Sequence, residues 1–232
     1  MPFNLNIPRV DSPLNITLET GQILFVLGAN GTGKSSLMQN FYSSNAFNSK
    51  KISAHRQTWI SSNALTFTAE SRRNTEVNIR DQDRQYHSRW REYAPEERAK
   101  MAIYDLIDAE NIRARSITKA VDEDNYELAK TLSKKDAPIK IINELLRLSN
   151  LPIEISVKEN EQVMASKSGG APYSIAELSD GERNALLIAA DVLTIKEGTL
   201  ILIDEPERHL HRSIISPLLT NLFEKREDCA FI

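Results

Sequence analysis

The sequence has little cysteine and no long apolar run. Its single cysteine, Cys229, cannot close a disulfide within the chain, which is typical of a reducing compartment. No apolar run approaches the roughly 18 residues that a membrane-spanning helix needs. The first residues also lack the basic and apolar segments of an export signal. These absences exclude the membrane and secreted classes, and we expect a cytoplasmic protein.

The chain also lacks a large excess of charge of either sign. The 232 residues include Lys+Arg 29 and Asp+Glu 32, a net charge of -3, and 41% are hydrophobic. Such values are typical of an ordinary globular protein and disfavour disorder. A slightly acidic chain is not built to coat nucleic acid with its whole surface. The length predicts one large α/β domain, or a domain that carries an insertion.

The chain divides into three blocks. Residues 1–69 are predicted to be rich in strands, and the continuous apolar run 23–27 is typical of a strand buried on both faces. Residues 70–150 form a predicted helical lobe, with helix starts near Pro95 and Asp136. Residues 151–232 return to strands at 153–157, 162–165 and 200–203, with a helix from Asp180. The apolar segment 229–232 predicts a further strand, and we expect the protein to continue beyond it.

A glycine-rich segment after the run 23–27 predicts a phosphate-binding loop. Residues 28–35, GANGTGKS, fit G-x-x-x-x-G-K-[ST] at every fixed position, between a predicted strand and a predicted helix. Glycines let the backbone N–H groups approach a polyphosphate, and the helix N-terminus favours an anion. We expect Lys34 to bridge the β- and γ-phosphates of ATP and Ser35 to ligate Mg²⁺. The predicted nucleotide-binding residues are Gly28, Asn30, Gly31, Thr32, Gly33, Lys34, Ser35 and Ser36. A glycine turn with a chance lysine is the alternative.

Two carboxylates follow the apolar strand 200–203. An aspartate at such a strand end holds Mg²⁺ in P-loop proteins, usually through water, which is the role expected of Asp204. Glu205 would face the γ-phosphate and polarise an attacking water, so it is the predicted catalytic residue of a hydrolase. Acids that simply end a strand at the surface are the alternative.

A third motif lies between the other two. Residues 178–182, LSDGE, form a capping box in which Ser179 caps a helix and Glu182 returns the bond. In this order, the three motifs resemble those of ABC-type ATPases, whose signature is L-S-G-G-Q. The resemblance implies that Ser179, Gly181 and Glu182 belong to a signature that contacts the γ-phosphate bound by another subunit. Asp180 departs from the family glycine, and a well-capped helix with no further role is the alternative.

The same resemblance implies the rest of the architecture. It predicts an α/β P-loop NTPase of the ABC-ATPase type, with a mixed sheet, an inserted helical lobe and head-to-tail pairing of identical subunits. Gln57 would reach Mg²⁺ together with Ser35 and Asp204, although it could be an ordinary polar residue. Residues 207–211 would lie at the subunit contact. His209 and His211 also suggest a metal site by their spacing, but no third ligand is evident. A γ-phosphate-sensing histidine, expected after the next strand, is not in the sequence, which agrees with a continuing chain.

The motif variants favour one branch of the family. Residues 179–183 and 205–211 are similar to those of soluble prokaryotic ATPases of the SMC-like and OLD-nuclease group, and the chain resembles the ATPase of the PARIS antiphage system. This resemblance implies a TOPRIM-type nuclease effector and a phage-encoded trigger as partners. The alternatives are a DNA-repair or chromosome-organising ATPase and an ATP-dependent scaffold with little turnover, and a transporter subunit fits worst. Six arginines between residues 72 and 91 could contact DNA, a partner protein or only solvent.

Overall fold

The computed structural model describes residues 2–52, 67–158, 161–208 and 210–232. The strands are β1 (Phe3–Ile7), β2 (Leu14–Leu18), β3 (Ser49–Ile52), β4 (Ile153–Val157), β5 (Val163–Lys167), β6 (Tyr173–Ser174), β7 (Leu200–Ile203) and β8 (Ala230–Phe231). The helices are α1 (Lys34–Asn45), α2 (Ala69–Asp83), α3 (Pro95–Asp122), α4 (Tyr126–Lys134), α5 (Pro138–Leu148), α6 (Asp180–Thr194) and α7 (Arg212–Lys225). The predicted helix starts near Pro95, Asp136 and Asp180 are confirmed within two residues.

The described strands form three small sheets rather than one mixed sheet. β1 and β2 pair as an antiparallel hairpin, and β4, β5 and β6 form a second antiparallel sheet. β3, β7 and β8 form a parallel sheet with β7 in the centre. At the carboxyl end of that sheet the Asp204 N–H donates to the Ile52 carbonyl at 3.0 Å. The acidic residues after β7 therefore lie next to the end of β3.

The prediction of a strand buried on both faces at residues 23–27 is wrong. Ile23 forms an isolated parallel bridge with Phe231, and the Leu24 N–H donates to the Phe231 carbonyl at 2.8 Å. Beyond this point the segment is not a strand, and Phe25 and Leu27 are 68% and 88% exposed. β8 is only two residues long, so it provides no further backbone partners. No described element covers the side chains of Phe25 and Leu27.

Two hydrophobic clusters lie on opposite faces of β7. Leu200 and Leu202 pack with the β1–β2 hairpin and α1, whereas Ile201 packs with α6 and α7, because successive strand residues point to opposite faces. The second cluster also contains residues of α3 and α5. The middle helices therefore share a core with the C-terminal block, and the boundaries 1–69, 70–150 and 151–232 stay a prediction.

None of the helices in residues 2–52, 67–158, 161–208 and 210–232 is long and apolar enough to cross a membrane.

Candidate nucleotide-binding site

The loop before α1 has a backbone path that favours glycine at several positions. A Cβ on Gly28 would lie 2.8 Å from the Thr32 hydroxyl oxygen, closer than real Cβ contacts allow. Gly31 and Gly33 have φ values of 82° and 93°, in the left-handed region that favours glycine. The Thr32 hydroxyl donates to the Ala29 carbonyl at 2.8 Å and closes the loop on itself. The predicted phosphate-binding loop therefore has the tight curvature that its sequence motif requires.

Lys34 starts α1 and turns back into the loop. Its Nζ donates to the carbonyls of Gly28 at 2.9 Å and Ala29 at 3.2 Å. The residue before it, Gly33, has no side chain that could cap the helix, and no acidic residue occurs in the first turn. The first backbone N–H groups of α1 and the Lys34 ammonium thus form a positive site without a side-chain cap, which suits an anion.

A cavity of about 550 Å³ joins the loop to the end of β7. Its lining residues are Val26, Leu27, Gly28, Asn30, Lys34, Glu205 and Glu207. Asp204 and Ile203 line an adjoining cavity of about 780 Å³ together with Lys34, Glu205 and mainly apolar side chains. The fold thus brings the predicted catalytic glutamate next to the predicted phosphate loop. Glu205 has a φ of 45°, which is uncommon for a residue with a side chain and typical of strained functional positions.

The predicted signature begins α6 as a capping box. The Glu182 N–H donates to the Ser179 hydroxyl, and the Ser179 N–H and hydroxyl both donate to the Glu182 carboxylate, at 3.0 and 2.7 Å. Burial would raise the pKa of Glu182, but these bonds and Lys167, at 3.4 Å, outweigh it and lower the pKa. Ser179 and Asp180 are exposed, and none of residues 179–182 lines the 550 Å³ cavity of the described chain. The start of α6 is therefore not part of the cavity beside the phosphate loop of its own chain.

Two of the predicted positions lie outside the described residues, namely Gln57 and His209. His211 caps α7, because its Nδ1 accepts from the Ser213 N–H at 3.3 Å and lies 2.8 Å from the Ser213 hydroxyl. The described part of the chain holds no group of three side chains suited to a metal ion. The idea of a metal site at the two histidines thus gains no support from these residues.

A buried polar cluster next to the site was not predicted from the sequence. Lys51 on β3 donates to the Ser88 carbonyl at 2.8 Å and to the Gln39 side chain at 3.2 Å. Gln39, on α1, donates to the Asp83 carbonyl at 2.7 Å. Burial lowers the pKa of Lys51, while the charges of Asp83 and Asp204 oppose that shift. A lysine within the block 1–69, which is predicted to be rich in strands, was the only signal in the sequence, and it says nothing about which partners the fold supplies.

The family model for the ABC transporter matches residues 12–208, which is most of the chain. No curated protein matches the sequence. Domains of this family bind ATP with Mg²⁺, hydrolyse it, and commonly act as pairs or oligomers. The expected ABC-type ATPase is thereby confirmed, while the similarity to the SMC-like and OLD-nuclease group stays a prediction. The chain belongs to the ABC transporter family and is an ATP-hydrolysing P-loop ATPase.

Proposed function

We propose that two copies of the chain pair head to tail and hydrolyse ATP in composite sites. One observation carries this proposal: the start of α6 is exposed, yet it does not line the cavity beside the phosphate loop. A helix N-terminus that is exposed at Ser179 suits a phosphate held by a second subunit. Each site would then need residues of both copies, which makes nucleotide binding and association linked equilibria.

Within one copy, the loop and the first turn of α1 hold the triphosphate. Lys34 exchanges its two loop carbonyls for β- and γ-phosphate oxygens, and the N–H groups of residues 30–36 donate to the remaining oxygens. The hydroxyl of Ser35 and the carboxylate of Asp204 are oxygen ligands of the kind that Mg²⁺ prefers, and Gln57 would complete this set. When bound, Mg²⁺ neutralises charge that develops on the phosphates.

Glu205 serves as the general base in this scheme. It lies at the edge of the same cavity as Lys34, so it can take a proton from a water that attacks the γ-phosphorus. The signature of the partner would hold the γ-phosphate through the Gly181 N–H and through the Ser179 hydroxyl, once this hydroxyl has turned away from the Glu182 carboxylate to which it donates in the single chain. Hydrolysis and release of phosphate would then loosen the pair.

Two substitutions test these roles. Lys34→Ala should abolish binding of ATP, because it removes the only cation in the loop. Glu205→Gln should bind ATP, fail to hydrolyse it and stay associated, as measured by phosphate release and by light scattering after gel filtration. Turnover of Glu205→Gln at the parental rate would contradict its role as base.

We further propose that the assembled ATPase controls an effector in antiviral defence. The support is the similarity of residues 179–183 and 205–207 to the soluble prokaryotic branch, in which a TOPRIM-type nuclease is held until a phage-encoded trigger releases it. Co-purification of such a nuclease encoded beside this chain, lost in Lys34→Ala, is the expected result. A chain that binds ATP but turns it over negligibly, with or without that partner, would instead be a scaffold.

DNA binding is a second candidate function that a surface feature favours. Phe47 is exposed, and the guanidinium carbons of Arg80 and Arg84 lie 4.8 and 5.9 Å from its ring centroid. Arginine next to an exposed ring can contact phosphates and stack on bases. Stimulation of turnover by duplex DNA, lost at raised salt, would support a role in DNA repair or chromosome organisation.

A further inference from the structure

Arg89 lies beside the first turn of α1 and has no carboxylate partner among the described residues. Its guanidinium donates to the Ser36 hydroxyl and lies over the Tyr86 ring, 3.4 Å from the ring centroid, with Trp90 at 5.4 Å. Arg72 and Arg98 are different, because each forms an ion pair with an aspartate. A half-buried cation whose charge is not balanced by an ion pair therefore lies at the end of the phosphate loop.

The position of Arg89 is fixed by its neighbours in the chain. The 3₁₀ turn Tyr86–Arg89 is fastened to α1 through buried Ser88, whose hydroxyl donates to the Gln39 side chain at 2.6 Å. Lys51 donates to the carbonyl of the same serine. On the other side, the stacked Tyr86 ring restricts the guanidinium. These neighbours already hold the Arg89 side chain in one place. Binding of a ligand to Arg89 would therefore cost little conformational entropy of this side chain.

We propose that Arg89 is a phosphate-binding residue of the nucleotide site and contacts a nucleotide phosphate next to Ser36. The inference rests on the proposed function, in which residues 28–36 hold the phosphates of ATP. Arg89 Nε donates to the Tyr86 carbonyl at 3.3 Å and Nη1 donates to Ser36, which leaves Nη2 and the second Nη1 hydrogen as donors for a phosphate. The positive end of α1 and the charge of Arg89 then act on the same anion.

The experiment measures the dissociation constants of ATP and ADP by titration with fluorescent analogues. Arg89→Ala should weaken both by about tenfold, the loss of one hydrogen-bonded charge contact. Arg89→Gln should be equally weak, because it can still donate to Ser36 but has no charge, and Arg89→Lys should recover part of the affinity. Arg84→Ala is the matched control, since Arg84 also lies near an exposed ring but belongs to the Phe47 end of α1, and it should bind as the parent does.

Parental binding by Arg89→Ala, or by Arg89→Gln, would overturn the inference, and so would an equal loss in Arg84→Ala. Lys34→Ala separates this failure from that of the proposed function. Should Lys34→Ala bind ATP like the parent, the phosphate site itself is wrong. Should Lys34→Ala lose ATP while Arg89→Ala retains it, only the role of Arg89 is wrong. Melting temperatures without nucleotide should be the same for Arg89→Lys and the parent.

Discussion

The ion pair between Arg98 and Asp83 offers the sharpest test of how the middle helices hold the site. The two side chains are each 5% exposed, and Arg98 Nη2 lies 2.6 Å from the Asp83 carboxylate. Breaking a buried pair by neutralising one partner costs about 3–5 kcal/mol, because the other charge stays buried. Asp83→Asn keeps the size of the side chain, and Glu92 remains 3.7 Å from Arg98. We therefore expect the lower end, about 3 kcal/mol.

Urea unfolding, followed by circular dichroism, measures this loss of unfolding free energy. If the unfolding free energy falls by about 3 kcal/mol per M of urea, the loss lowers the midpoint by about 1 M. Asp136→Asn is the control, because Lys140 Nζ lies at the same 2.6 Å from Asp136 but both side chains are exposed. Its midpoint should not move, since water screens such a pair. Equal midpoints for the two variants would show that the Arg98 charge is not confined in a buried environment.

Two further substitutions probe the loop and the signature. Gly28→Ala should lower ATP affinity by more than tenfold with little change in melting temperature, because the new Cβ would lie 2.8 Å from the Thr32 hydroxyl and distort the cradle rather than the core. Glu182→Gln should weaken the dependence of the melting temperature on pH in acid. The lowered pKa of Glu182 stabilises the folded parent at pH values above the unfolded-chain pKa of about 4.3. This stabilisation is lost as the pH falls through the lower pKa of the folded state, and the variant does not have it. Melting temperatures between pH 3 and 6 measure it, and parallel curves for parent and variant would contradict the reasoning.

Local sequence rules predicted the elements that carry the site. The phosphate loop, the capping box at Ser179 and the acidic end of β7 each depend on residues close in sequence, so spacing alone identified them. The helices α3 and α6 likewise follow from their start signals.

The failures involve contacts between distant residues. The run 23–27 has the composition of a buried strand, but its exposure depends on how far β8 pairs with it. Lys51 contacts Gln39 and Ser88, and Arg89 contacts Ser36, at separations of 12 to 53 positions in the sequence. No local pattern encodes such pairings, and an arginine-rich stretch could equally have been a solvated surface.

The composite site is tested most directly by mixing two inactive variants, Lys34→Ala and Ser179→Arg. One lacks the phosphate loop cation and the other blocks the start of α6. In a head-to-tail pair that contains one copy of each variant, one of the two sites has an intact phosphate loop and an intact start of α6. About half of the pairs are of this kind after random mixing, so the mixture should recover up to about one quarter of the parental ATPase rate. If each chain instead contained its own complete site, the mixture would stay as inactive as the two variants alone.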